Sequence, residues 1–167
     1  YSPTPTLLIN YGQVSTSGFG RTSSPVRMWI GSIENHGTLW ADNTTHGTAV
    51  GAFVGATGTV TNSGDILASA VEGDAYGIQT WDDRRMQGLP SVINESTGYI
   101  GADSQLGWAI GILAGNAPIL QNMGTVDVSG GDGAIAIDMG LYSGGRLVNA
   151  GEIYAGKVTR IMPFGAF

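Results

Sequence analysis

The sequence predicts an all-β chain wound into a right-handed parallel β-helix, and three observations predict it. An Asn-x-Gly unit recurs six times, with its asparagines at 10, 35, 62, 94, 122 and 149. Apolar and polar residues alternate around each copy, which is the period of a strand and not of a helix. Glycine accounts for 28 of 167 residues while charged residues make up only 12%, a composition suited to many short strands joined by turns.

The first copy reads Leu8-Ile9-Asn10-Tyr11-Gly12-Gln13-Val14-Ser15-Thr16 and the second Ile33-Glu34-Asn35-His36-Gly37-Thr38-Leu39-Trp40-Ala41. The third is Val60-Thr61-Asn62-Ser63-Gly64-Asp65-Ile66-Leu67-Ala68. The fourth is irregular, with Glu95-Ser96-Thr97 between Asn94 and Gly98, and continues as Tyr99-Ile100-Gly101-Ala102. The fifth, Leu120 to Val128, and the sixth, Leu147 to Ala155, are regular again. The asparagine spacings are 25, 27, 32, 28 and 27. That period is too short for a propeller blade, and leucine-rich, ankyrin and tetratricopeptide signatures are absent. One coil per copy, stacked at the spacing of neighbouring strands, predicts about six rungs in a rod roughly 30 Å long.

A second unit recurs between the copies. Ala49-Val50-Gly51-Ala52, Ala75-Tyr76-Gly77-Ile78, Ala109-Ile110-Gly111-Ile112 and Ala134-Ile135-Ala136-Ile137 occupy similar phases, so each period holds two or three short strands. Two stretches break the pattern: the charged run Thr80 to Leu89, read as a projecting loop, and the polar run Arg21 to Val26, which contains Pro25.

Asparagine suits turns because its side chain bonds local backbone and tolerates left-handed conformations. Stacked at one corner, each amide can donate to the next, satisfying groups that would otherwise be buried and unpaired. The glycine two places later is expected at positive φ or in a tight corner. Two residues beyond it stand Val14, Leu39, Ile66, Ile100, Val126 and Ile153, which should point inward.

The segment Gly58-Thr59-Val60-Thr61-Asn62-Ser63-Gly64-Asp65-Ile66, followed by Gly73-Asp74-Ala75-Tyr76-Gly77-Ile78, resembles the repeat of bacterial autotransporter passenger regions. The resemblance covers about residues 7–155, within a single domain spanning 1–167 whose ends serve as caps or assembly contacts. It implies an extracellular β-helix at the bacterial cell surface, associated with the outer membrane or released from it. The sequence shows no outer-membrane barrel, so a passenger fragment or a separate secreted relative is expected. The resemblance implies no particular activity, since such stems carry adhesins, proteases and esterases alike.

The formal charge of −6 and the seven scattered basic residues argue against a nucleic-acid partner. The absence of cysteine removes disulfides and thiol chemistry, and no apolar run is long enough to span a membrane as a helix. His36 fills the x of an Asn-x-Gly copy, where other copies carry Tyr, Ser, Met and Ala, and reads as an exposed turn residue; His46 opens a glycine turn. Asp82-Asp83-Arg84-Arg85 reads as a solvated, internally paired loop, because adjacent carboxylates on a strand face opposite ways and cannot flank a glycosidic bond. Asp127, Asp132 and Asp138 fall near one rung but lack the calcium repeat signature. Gly130-Gly131-Asp132-Gly133 precedes no helix or lysine and is not a phosphate loop. Trp29, Trp40, Trp81 and Trp108 are candidates for sugar stacking or protein contact, and alternation places Trp40 outside.

The sequence thus designates no catalytic, cofactor-binding or metal-ligating residue and no cofactor. It points to a structural or adhesive surface protein and not to an enzyme, with self-association into a homo-oligomer or filament as the expected partnership and a surface glycan or protein as a further partner. The apolar tail Ile161 to Phe167 is expected either to fold over the last rung or to insert into another subunit, and Pro3 and Pro5 to end strand pairing at the start. Two alternatives stand beside this reading: a carbohydrate-binding or carbohydrate-cleaving β-helix, and a trimeric tail-fibre segment.

Overall fold

In a computed structural model of the chain, the six Asn-x-Gly strands lie side by side in one parallel sheet, joined only through the coil of the backbone. The structure describes residues 6–55, 58–80, 90–115, 119–139 and 145–157. The first sheet runs β1 (Thr6–Asn10), β4 (Gly31–Asn35), β7 (Thr59–Asn62), β10 (Ser91–Asn94), β13 (Ile119–Asn122) and β16 (Arg146–Asn149). The middle sheet runs β2 (Gln13–Gly18), β5 (Thr38–Asn43), β8 (Asp65–Ala70), β11 (Tyr99–Ser104), β14 (Thr125–Gly130) and β17 (Glu152–Lys157). The third holds β3 (Arg27–Met28), β6 (Ala49–Val54), β9 (Ala75–Thr80), β12 (Trp108–Leu113) and β15 (Gly133–Asp138). Among the described residues there are no helices, and the architecture is a three-sided parallel β-solenoid of about five turns, with β16 and β17 beginning a sixth. Parallel pairing needs a long connection between partners, and here each full coil is that connection.

The register puts like on like. Asn10 pairs with Asn35, Asn35 with Asn62, Asn62 with Asn94, Asn94 with Asn122 and Asn122 with Asn149. The Nδ2 of each asparagine donates to the Oδ1 of the next at 2.8–2.9 Å, from Asn10 through to Asn149. Interior amides also donate to backbone, as Asn35 does to the Gly37 and Asp65 carbonyls at 3.0 and 2.9 Å. Asn35, Asn62, Asn94 and Asn122 are fully buried, so this ladder satisfies groups that water cannot reach.

The core is a set of matching columns. Ile33, Val60, Val92 and Leu120 stack from the first sheet, and Leu39, Ile66, Ile100 and Val126 from the middle one, all inaccessible to solvent. Those of the middle sheet are the residues expected inward, and burying each of the eight contributes roughly 1.5–3 kcal/mol. Val14 and Ile153, their equivalents at the two ends, remain 36% exposed. The recurring Ala-x-Gly unit forms β6, β9 and β12 of the third sheet, with Ala49, Ala75 and Ala109 in register.

The turn glycines take the second of the two expected forms. Gly20 and Gly31 have positive φ, but the glycines of the Asn-x-Gly copies do not. They sit in the tight corner instead. Backbone hydrogen bonding runs unbroken around it, with Asp65 N donating to Gly37 O and Glu152 N to Gly124 O, each at 2.8 Å. A Cβ on Gly37, Gly64, Gly124 or Gly151 would lie 2.0–2.1 Å from the carbonyl oxygen of the rung before. Glycine is required by rung-to-rung distance, not by handed dihedrals.

The Arg21 to Val26 stretch is also not a break in the coil. Ser23 forms a parallel bridge with Ala49, its N–H donates to Thr48 O at 2.9 Å, and Val26 is buried. The inserted Glu95-Ser96-Thr97 is absorbed within the corner: Gly98 N donates to Glu95 O, and Asn94 keeps its place in the ladder. The run 81–89, including Trp81 and Asp82 to Arg85, and both terminal segments, 1–5 and 158–167, lie outside the described residues.

Candidate functional site

Alternation along the middle sheet sends every second side chain outward, and the exact register aligns those side chains into three columns. One reads Ser15, Trp40, Leu67, Gly101, Asp127, Tyr154. Beside it run Ser17, Asp42, Ser69, Asp103, Ser129, Gly156, and on the other flank Gln13, Thr38, Asp65, Tyr99, Thr125, Glu152. This outer face therefore carries five carboxylates and three exposed or half-exposed aromatic rings, and no lysine or arginine among its outward positions.

Gly101 interrupts the central column and creates a notch. Tyr99 lies across it: a Cβ on Gly101 would meet the tyrosine ring at 2.8 Å and the Leu67 side chain at 3.0 Å. The Tyr99 phenol donates to Asp127 Oδ2 at 3.2 Å. Burial raises the Tyr99 pKa above its ordinary value, and the Asp127 charge, the hydrogen bond and Asp65 push in the same direction. Tyr154, hydrogen-bonded to Glu152, is raised for the same electrostatic reason. Negative charge over this face thus adds to burial in favouring the protonated phenol.

A shallow groove of about 330 Å³ opens here, lined by Trp40, Leu67, Tyr99, Asp103 and Asp127 among others. A smaller depression of about 140 Å³ lies on the other side of Trp40, against Ser15, Ser17 and Asp42. Trp40, 42% exposed, stands between the two as a ridge. Among the described residues the one ion pair joins His46 to Glu72, away from this face, so Asp42, Asp65, Asp103, Asp127 and Glu152 have no basic partner. The groove offers ring faces for stacking and carboxylate acceptors for a donor-rich ligand.

The other candidate residues do not converge on it. His36 stacks on Tyr11 with ring centroids 4.8 Å apart, and its Nδ1 lies 2.7 Å from Ser63 Oγ. No carboxylate orients that ring, so the pair lacks the third member of a nucleophilic triad. Trp29 meets Phe53 edge-on at 5.0 Å, and Trp108 covers Gly133 while its backbone N–H donates to Asp74. Asp127 is on the middle sheet, Asp132 follows β14 in a turn, and Asp138 ends β15, so the three acids do not meet; among the described residues no group of three metal-ligating side chains gathers. The Gly130 to Gly133 stretch joins strand to strand. Trp40 was legible as an outward residue; Asp42, Tyr99, Gly101 and Asp103 were not singled out. The available signal was the residues one, three and five beyond each turn glycine, read as columns across all six copies.

In comparisons with known families, curated proteins and solved structures, nothing matches this chain.

Proposed function

We propose that the chain is a structural and adhesive solenoid of the autotransporter-passenger type, exported to the bacterial cell surface or beyond, where it associates with copies of itself and presents the outer face of its middle sheet for contact. The observation that carries this reading is the unbroken asparagine ladder. It braces a stack of nearly identical rungs, and a stack of that kind holds a broad patterned face rigid.

The ladder also has direction. Every Nδ2 donates toward the C-terminal end. Among the described residues, Asn149 Nδ2 donates to Gly151 O and meets no further asparagine, while Asn10 Oδ1 accepts from Gly12 N and from no preceding amide. Donor at one end and acceptor at the other favour head-to-tail association. Among the described residues, β1 and β16 each have one edge that pairs with no further strand, which favours it too.

Sedimentation velocity and negative-stain microscopy of the purified chain test association: concentration-dependent elongated multimers are expected, and a strict monomer at high concentration overturns it. Protease treatment of intact producing cells tests location, with cleavage expected and full protection overturning a surface position.

A further inference from the structure

We propose that the groove on the outer face of the middle sheet, together with the depression across Trp40 from it, binds an extended basic peptide segment, with arginine side chains lying over Trp40 and Tyr99 and against Asp42 and Asp103. The inference deepens the contact-face reading by naming the partner's chemistry.

Three features select that partner. The first is charge: the face carries Asp42, Asp65, Asp103, Asp127 and Glu152 with no lysine or arginine among its outward positions and, among the described residues, no ion pair to any of them. Carboxylates alone would be an ordinary solvated surface. The second feature sets three of them apart: Asp103 and Asp127 line a groove with Leu67, Tyr99 and Trp40, and Asp42 lines the depression on the other side of Trp40. Guanidinium is the cation that both stacks on an aromatic plane and pairs with a carboxylate. Every charged group here accepts hydrogen bonds and a guanidinium only donates them, so the two match group for group.

The third feature is spacing. Asp42 and Asp103 share one column with Ser69 between them, so they stand two strand spacings apart, about 9.6 Å. A polyproline-type segment repeats every three residues, about 9.3 Å, with those residues on one side. A segment lying along the solenoid axis, across β5, β8 and β11, therefore delivers arginines at every third position to successive aromatic-carboxylate pairs.

Titration calorimetry of the full chain with a synthetic Arg-Pro-Pro-Arg-Pro-Pro-Arg peptide tests this, beside the same peptide with glutamine for arginine and a neutral linear glucan. Saturable binding of the arginine peptide is expected, weakening as salt is raised. Trp40→Ala and Asp103→Asn should each weaken it about fivefold with circular dichroism and melting unchanged. Glu34→Gln, on the outer face of the first sheet, should leave it unaltered. Equal affinity for the glutamine peptide, binding of the glucan with the arginine peptide silent, absence of any binding heat, or full affinity in the Trp40→Ala/Asp103→Asn double variant overturns the proposal. None of these results bears on whether sedimentation shows multimers, so the groove assignment and the association reading fail separately.

Discussion

Asn62 shows how much one side chain can hold. Its amide donates to Asn94 Oδ1 at 2.9 Å and Tyr99 O at 3.2 Å, while its oxygen accepts from Asn35. Asn62→Ala takes the donor from the buried Asn94 oxygen and from Tyr99 O and leaves the Asn35 amide only its backbone acceptors, so the expected loss is about 3 kcal/mol, the upper end of the roughly 1–3 kcal/mol for an orphaned buried group. Asn10→Ala, at the end of the same ladder, strands only one group and should cost about 1 kcal/mol. Denaturant midpoints of the two variants measure the difference, and equal losses would show that the ladder is not cooperative through the stack. Tyrosine gives a pH dependence. Tyr76 and Tyr99 are both raised above the ordinary value of 10.0, chiefly by burial and then by Asp74 and Asp127 respectively. The folded chain thus holds those protons more tightly than the unfolded one. That stability is complete below pH 10.0 and is lost as pH rises through the higher folded values. Calorimetric melting across the alkaline range should show Tyr99→Phe falling less steeply than the parent chain; an unchanged slope counts against the Tyr99–Asp127 contact. The asparagines were legible in the sequence because six identical residues recur at one interval. The Tyr99–Gly101–Asp127 contact was not, because it depends on a diagonal reach into a neighbouring column that no single copy displays.

The strand-corner-strand unit explains which glycines matter. A Cβ at Gly64 would lie 2.1 Å from Gly37 O, whereas at Gly12, on the outermost corner, it would meet nothing within 4 Å. Both occupy the same position of the same motif. Gly64→Ala must therefore prise two rungs apart, at about 3 kcal/mol, the upper end of overpacking costs. Gly12→Ala should fall within about 0.5 kcal/mol of the parent, as surface changes do. Thermal denaturation of the pair checks this, and equal effects would mean that dihedral preference and not rung distance selects the glycine. Here the motif was readable while its reason was not: a pattern along the chain carries no information about the distance to the next turn. The same holds for the Arg21 to Val26 stretch. Its polar residues and Pro25 read as an interruption, yet Ser23 pairs with Ala49 through backbone groups that composition does not reveal.

Across the stack, each turn touches only the turns above and below, so stability falls toward the ends. Every residue of β16 and β17 is exposed, whereas β7, β8, β10 and β11 keep their inward side chains sealed. Hydrogen exchange should accordingly be slowest in those four central strands and fastest in β16 and β17. Protection of the end strands should rise with protein concentration if copies associate there; uniform protection at all concentrations would contradict both statements. The solenoid was foreseeable from the period and the alternation. Among the described residues the last copy supplies β16 and β17 of a sixth turn. The sameness of the interior turns has one more consequence. A duplicate of residues 95–122 spliced in after Asn122 would find an amide above and below it already aimed at its own. The barrel of the spool can thus grow by whole windings, about 4.8 Å at a time, without a new interior being invented. How long such a protein is and what its outer surface recognises are independent quantities, one set by copy number and the other by the letters at three alternate positions.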